Sequence, residues 1–262
     1  MQPHRIRAVM LRHIYEAWRN WDRITDTIYW PVMNIIVWGF FTLYFSRVNQ
    51  LSPGVVSFLF GGAILWGMFT AFQRDMAIGF LGELWSRNLV NLFGTPLSVT
   101  EYMTGLIAVN FLKAMIGMAA AALVAWVCYA YNIFPGLPAM VPFLLNLIIF
   151  ALAVGVVITG LIFRYTTRVQ GLTWSFTAFL MPLSCVFYPV NSLPKYLQPI
   201  ALSLPTAHAF EGMRAAIAGG GFAVAHFVWG LALNAAYILL AVALFRRMFD
   251  SARSLGLLVK ME

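Results

Sequence analysis

PFLLNLIIFALAVGVVITGLIF, residues 142–163, is a continuous apolar stretch without Asp, Glu, Lys or Arg. A helix of this length, at about 1.5 Å per residue, crosses a hydrocarbon core about 30 Å thick. Lipid offers no hydrogen-bond partners to an exposed backbone, and the alternating pattern of a membrane β-barrel is absent here. We therefore predict that this stretch is a transmembrane helix.

Five other stretches share this length and apolar character. Only 10% of the residues are charged and 61% are hydrophobic, whereas soluble domains are about 25% charged. The composition therefore excludes a water-soluble protein. The sequence predicts an all-α, polytopic integral membrane protein, with one transmembrane domain over 1–262 and six spans at 28–45, 55–73, 114–131, 142–163, 171–188 and 222–245.

The basic residues in the flanks of these spans predict the orientation, because cytoplasmic loops carry an excess of Lys and Arg. Three basic residues lie on one side, namely Arg47, Lys195 and Arg214. Thirteen lie on the other, namely Arg5, Arg7, Arg12, Arg19, Arg23, Arg74, Arg87, Arg164, Arg168, Arg246, Arg247, Arg253 and Lys260. We predict a multi-pass protein of the cytoplasmic (inner) membrane with both termini in the cytoplasm. The positive charge is spread over separate loops, so it indicates no nucleic-acid partner.

The N-terminal segment 1–27 alternates apolar and basic residues at helical spacing. It predicts an amphipathic helix on the cytoplasmic membrane surface, with Trp18 and Trp21 at headgroup level. A plain orientation signal that leads into the first span is the alternative interpretation, and the two are compatible.

The segment 75–101 is predicted to be a cytoplasmic loop with a short helix, which Gly94 and Pro96 end. Its apolar residues form a stripe that indicates a docking surface, either for a second protein or for the lipid surface. The stripe consists of Leu84, Trp85, Leu89, Leu92 and Phe93.

The segment 189–221 is predicted to lie on the external side. Prolines interrupt it, Pro194 and Pro205 among them, although it remains rather apolar. A continuous spanning helix is therefore excluded, and short re-entrant half-helices between the fifth and sixth spans fit the pattern.

A few polar residues are candidates for function. Lys113 stands at the start of the third span, where it is either a functional ionisable group or a side chain that snorkels to the cytoplasmic interface. His208, Glu211 and Arg214 are spaced three apart. A Glu–His pair at this spacing can bind metal or move protons, but a Glu211–Arg214 surface pair is the simpler interpretation.

Aromatic residues are abundant in the first, second and fifth spans. They are expected to face lipid or pack between helices, and a subset is a candidate path for acyl chains or a flat drug. With Lys113, the candidate substrate path comprises Trp30, Phe69, Phe72, Trp174 and Phe176.

Two motifs carry a family resemblance. NLFGTPLS (91–98) is similar to the coupling loop of the membrane subunits of type-2 ATP-binding-cassette (ABC-2) exporters, and YPVNSLPKYLQPIALSLPTAHAFEGMR (188–214) is similar to the signature before their last span. The resemblance covers nearly the whole chain. It implies a homodimer of this subunit with two cytoplasmic ATPase subunits, which dock near residues 87–96. The contacting residues would be Arg87, Leu89, Leu92, Phe93 and Pro96.

The chain lacks a nucleotide-binding motif of its own. A P-loop needs Gly-Lys-Ser/Thr, but Lys113, Lys195 and Lys260 follow Leu, Pro and Val. We expect no catalytic site, metal or cofactor in this chain, with ATP and magnesium on the partner subunit. The expected substrate is an amphipathic or lipid-linked molecule, either a glycolipid or polysaccharide or a hydrophobic drug. A secondary transporter or channel is the alternative, followed by an intramembrane enzyme.

Overall fold

The computed structural model describes residues 1–49, 53–86, 88–133 and 136–254. These residues form α-helices and no β-strand, as predicted. The helices are α1 (Pro3–Arg19), α2 (Trp21–Asn49), α3 (Pro53–Trp85), α4 (Leu89–Gly94), α5 (Val99–Tyr129), α6 (Leu137–Tyr165), α7 (Leu172–Leu180), α8 (Gln198–Leu202), α9 (Pro205–Ile217) and α10 (Val224–Ser254). Short 3-10 turns lie at Thr166–Val169 and Val190–Ser192.

Among the described residues, five helices are long and apolar enough to cross a membrane: α2, α3, α5, α6 and α10. They contain the predicted spans 28–45, 55–73 and 142–163, and nearly all of 114–131 and 222–245. Five of the six predicted spans therefore correspond to long apolar helices.

The predicted span 171–188 is not one continuous helix. Helix α7 has nine residues, or about 13 Å, and turns follow it. Pro182 has no N–H to continue the helix, and Cys185 has a left-handed φ of 54°. This part of the chain covers about half of a hydrocarbon core as a helix and then changes direction.

Two of the long helices extend well beyond the predicted spans. Helix α3 continues to Trp85, and α5 begins at Val99, so most of 75–101 is helical. The start of α5 is fixed by a capping box in which the Ser98 hydroxyl accepts from the Glu101 N–H and the Glu101 carboxylate accepts from the Ser98 N–H. Lys113 consequently lies inside α5 rather than at its start. Hydropathy marks only the part of a helix that matches the lipid, which is why the prediction stopped short.

Helices α3 and α6 are the most buried of the five. The apolar window of α3 is 61% buried, against 17% for α10, so α3 is central and α10 peripheral. The Phe69 ring lies between Trp66 and Phe150, with centroid distances of 4.8 and 5.9 Å. Helix α10 packs along α6, where the Asn234 amide donates to Asn146 Oδ1 at 2.8 Å.

Small residues bring the helices close together. A Cβ on Gly155 of α6 would lie 2.9 Å from Met76 Cβ of α3, so the two helices approach closely at this glycine. In the same way, a Cβ on Gly117 of α5 would lie 2.8 Å from the Thr27 carbonyl oxygen and 3.0 Å from Pro31 Cγ of α2. Helices with glycine at such positions pack at short distance.

Candidate functional site

The segment between α3 and α5 is held against α1 by buried acidic residues. The Glu83 side chain at the end of α3 is only 2% exposed, and its carboxylate receives two hydrogen bonds from Arg12 of α1, at 2.5 and 2.7 Å. Asn88, directly before α4, donates a third at 2.8 Å. Three parts of the chain therefore meet at one carboxylate.

Glu101 forms a second connection to α1. Its Oε1 accepts from the Gln2 backbone N–H at 2.7 Å, and its Oε2 lies 3.6 Å from Arg5 Nη1. Arg5 also donates to the carbonyl oxygen of Pro96. The beginning of α1 is thus joined both to the first turn of α5 and to the loop that precedes it.

Apolar contacts fill the space between these polar connections. Val9 of α1 is buried, and a Cβ on Gly105 of α5 would lie 2.7 Å from Val9 Cγ1. The His13 ring lies 5.9 Å from the Tyr102 ring. We refer to α1 together with residues 83–101 as the coupling unit, since their contacts are polar at both ends and apolar between them.

The predicted docking residues differ in how exposed they are. Leu92 is buried and Pro96 is exposed. In the predicted stripe, Leu84 is buried and Trp85 is 54% exposed. Arg87 and the side chains of Leu89 and Phe93 lie outside the described residues. The stripe therefore does not face outward as a whole, because Leu84 and Leu92 contribute to the protein's own core.

Several residues of the coupling unit were missed at the sequence level, namely Arg5, Arg12, Glu83, Asn88 and Glu101. The Ser98-Val-Thr-Glu101 pattern is a recognisable capping box and would have predicted the start of α5. No local signal pairs Arg12 with Glu83, since 71 positions separate them.

The segment between α7 and α10 is folded around the Glu211–Arg214 pair of α9. Arg214 Nη1 lies 2.8 Å from Glu211 Oε1, as the spacing predicted. The pair is not simply on the surface. Glu211 accepts from the Val190 N–H at 2.6 Å, and Arg214 donates to the Cys185 carbonyl oxygen at 3.1 Å. The pair therefore fixes the turns after α7 to α9.

His208 contacts the backbone of α8 and the start of α10. Its Nε2 lies 2.9 Å from the Leu202 carbonyl oxygen, and its Nδ1 lies 3.2 Å from Nδ1 of His226 in α10. Because the carbonyl requires a donor, neutral His208 carries its proton on Nε2 and accepts from His226. Burial lowers the pKa of His208. The contact between His226 and His208 thus joins α10 to α9.

The aromatic residues of the candidate substrate path do not line one cavity. Phe69 and Phe72 are fully buried core residues. Trp30 borders a groove of about 310 Å³ between α2 and α3, which also contains Arg74. Trp174 is half exposed on α7.

Lys113 borders two other cavities, next to α1 and α2. Among the residues that the structure describes, no group of three His, Cys, Asp or Glu side chains could hold a metal ion.

Comparison with known proteins identifies the family of this chain. Residues 4–218 match the ABC-2 type transporter family. Over 259 residues the chain is 27% identical to the capsule polysaccharide export inner-membrane protein CtrC of Neisseria meningitidis serogroup A / serotype 4A (strain DSM 15465 / Z2491), across 94% of this chain and 92% of that protein. Membership implies an ATP-binding partner subunit. The matched residues include all of α1 except Pro3, residues 83–101 and the chain onward through α9, and the chain therefore belongs to the ABC-2 type transporter family as a membrane-spanning subunit.

Proposed function

We propose that this chain is the transmembrane subunit of an ATP-driven exporter that moves a lipid-linked polysaccharide or a related amphiphile across the cytoplasmic membrane. The observation that carries the proposal is the coupling unit, in which two buried carboxylates join α1 to the α3–α5 connection. The similarity to a capsule polysaccharide export protein favours a glycolipid or polysaccharide over a hydrophobic drug.

The motor is a separate polypeptide in this proposal. ATP and magnesium bind to two cytoplasmic ATPase subunits, and this chain contributes a pathway and no covalent chemistry. The absence of Gly-Lys-Ser/Thr from the sequence supports this division. Two copies of the chain form a two-fold dimer, because six spans alone rarely enclose a path for a large amphiphile.

The proposed topology has six crossings and both termini in the cytoplasm. The sixth crossing is the broken segment 171–188, in which α7 enters one leaflet and the turns held by Arg214 complete the passage. Non-helical backbone at this depth is tolerated where protein covers it, and Ser184, Cys185 and Val186 are buried. Helices α8 and α9 then form the external re-entrant segment.

The coupling unit offers a mechanism for transmitting ATPase closure. In this mechanism the ATPase contacts α4 and the residues on either side of it. The contacts are exposed Pro96 and the predicted docking residues Arg87, Leu89 and Phe93, while buried Leu92 packs α4 against the core. Because Arg12 and Asn88 share Glu83, a push on α4 reaches α1 and α3 together. The spans then rotate around the central α3, and the amphiphile moves outward.

The test is co-purification with an ATPase encoded next to this chain's gene. We expect a stable complex with ATPase activity, and we expect loss of assembly or activity when Leu89 and Phe93 are both replaced by Glu. Lys195→Glu, an exposed change in the external segment, is the matched control and should leave both unchanged. A double variant that assembles and hydrolyses ATP like the wild type would overturn the docking proposal.

A further inference from the structure

A cavity of about 240 Å³ lies where the end of α1 meets the start of α2 and the middle of α5. Its walls are almost entirely apolar. They include Trp18, Ile24, Ile28, Leu112 and Ile116, with Lys113 at the edge. Leu112 and Ile116 are about half exposed, so the cavity is open at the outer surface of the helix bundle.

In the orientation proposed above, Lys113 lies near the cytoplasmic boundary between hydrocarbon and headgroups. It precedes Tyr129, the last residue of α5, by 16 positions, or about 24 Å along the helix. A lysine at this depth reaches the interface with its side chain. Within the described residues, no carboxylate lies within ion-pair distance of the Lys113 ammonium.

A small polar cavity of about 30 Å³ lies directly behind Lys113. Asn110 Nδ2 and His13 Nε2 border it, and both atoms are buried without a hydrogen-bond partner among the described residues. Its two carboxylates are engaged elsewhere: Asp26 accepts from Trp30 Nε1 at 3.1 Å, and Asp75 lies 3.4 Å from Arg74. An unsatisfied buried donor such as Asn110 Nδ2 indicates a polar ligand or ordered water.

We propose that these adjoining cavities bind one anionic phospholipid of the cytoplasmic leaflet, with its phosphate on the Lys113 ammonium and an acyl chain along Ile28 and Ile116. Asn110 supplies a neutral donor toward the headgroup. The site goes beyond the exporter function and rests only on the membrane insertion and orientation proposed above.

Charge and shape select this occupant. The apolar walls fit an acyl chain, and an ammonium at the interface with no ion-pair partner in the described part of the chain fits a phosphate. Arg23, which also borders both cavities, is compensated by Glu16 at 2.7 Å, so Lys113 supplies the cation that faces the headgroup. A zwitterionic headgroup would bring its own ammonium next to Lys113, so a net negative lipid is favoured.

The experiment is native mass spectrometry of the full chain in detergent, titrated with phosphatidylglycerol, phosphatidylethanolamine of the same acyl chains, or inorganic phosphate. We expect one tightly bound phosphatidylglycerol per chain and weaker phosphatidylethanolamine. Lys113→Gln should weaken the phosphatidylglycerol site about five-fold, and Lys113→Arg should retain it. Ile116→Trp, which fills the apolar cavity, should also weaken it.

Arg168→Gln is the matched control, because Arg168 is an exposed cation away from both cavities. Its phosphatidylglycerol binding should equal that of the wild type. Equal binding of both lipids, unchanged binding in Lys113→Gln, or equal losses in Lys113→Gln and Arg168→Gln would each overturn the proposal. Competition by inorganic phosphate alone would also overturn it, since it would identify a free-anion site. The measurement requires no transport, so it is independent of a failure to assemble with an ATPase.

Discussion

At the scale of single residues, the coupling unit depends on acidic groups placed where water is largely excluded. Glu83 and Glu101 have side chains only 2% and 3% exposed. Burying a carboxylate is costly unless charged and hydrogen-bonding partners surround it. Glu83 accepts hydrogen bonds from Arg12 of α1 and from Asn88. Glu101 accepts from the backbone N–H groups of Gln2 and Ser98 and lies next to Arg5 of α1. Removal of one partner therefore leaves a buried charge with incomplete compensation.

The Arg12–Glu83 pair gives the first prediction. Arg12→Ala should lower the free energy of unfolding by about 2 kcal/mol, because Glu83 loses two of its hydrogen bonds. Glu83→Gln removes the charge and retains an acceptor for Asn88. In a double-mutant cycle the two changes should be non-additive by about 1 kcal/mol. Thermal unfolding of the purified protein measures this coupling, with exposed Arg7→Ala as a near-neutral control; strict additivity would contradict the pairing.

The His208–His226 contact predicts that the stability of the protein depends on pH. Burial lowers the pKa of His208 from its ordinary value of about 6.5. The folded state therefore binds this proton less readily than the unfolded state. The stabilisation is present above the ordinary pKa and is lost as pH falls through the lowered value.

The melting temperature measures this effect between about pH 7.5 and about pH 5. The wild type should lose stability on acidification, and His208→Gln should show a flatter profile. His4→Gln, at an exposed position of α1, should keep the wild-type slope. If His208→Gln has the same slope as the wild type, the pair does not cause the dependence.

At the scale of elements, the contact between α2 and α5 is controlled by glycine. Pro31 stands inside α2 and has no N–H to donate to the Thr27 carbonyl. Gly117 of α5 lies against both residues. The two helices approach at the turn where the hydrogen-bond ladder of α2 is interrupted, and a side chain would occupy the space that this approach requires.

Gly117→Ala should therefore destabilise the protein by about 1–3 kcal/mol through overpacking. The matched control is Gly67→Ala in α3, where nothing lies within 4 Å of the added Cβ. This control should be neutral or slightly stabilising, because alanine favours helix. Thermal unfolding of both variants in the same detergent measures the difference, and equal stability would rule out close packing at Gly117.

At the scale of the whole molecule, the number of crossings decides which side each terminus occupies. Five long helices alone would place the termini on opposite sides, whereas passage of 171–188 restores the same side. The arginines at the end of α10, Arg246 and Arg247, match those of α1 and agree with a shared cytoplasmic location. The broken segment therefore determines whether the coupling unit and the end of α10 face the same compartment.

Reporter fusions before Pro3, at Gly220 and after Ser254 test this topology. We expect cytoplasmic signals from the first and last positions and an external signal from Gly220, which follows α9. A fusion within 88–98 should also report the cytoplasm. An external signal from either end of the chain would contradict six crossings and would separate α1 from the proposed ATPase.

Hydropathy along the chain predicts the helical class and most of the spans, because each crossing needs about twenty apolar residues in sequence. The helix extensions at 75–85 and 99–113 were not predictable in this way, since helices continue into water wherever caps and partners support them. The segment 171–188 was misread as one helix for the opposite reason. Its composition suits lipid, whereas Pro182 and the backbone at Cys185 turn the chain.

The sequence by itself determined that this chain is helical, that it is embedded in a membrane, and that its two loop motifs belong to a known family of transporters. Only the tertiary structure decided that Glu83 accepts hydrogen bonds from Arg12, that His208 faces His226, and that Lys113 lies beside an apolar cavity. The physical reason is the separation along the chain over which each interaction acts. The free energy of entering lipid is a sum over neighbouring residues, whereas the choice of partner for a buried charge depends on which distant helices pack together.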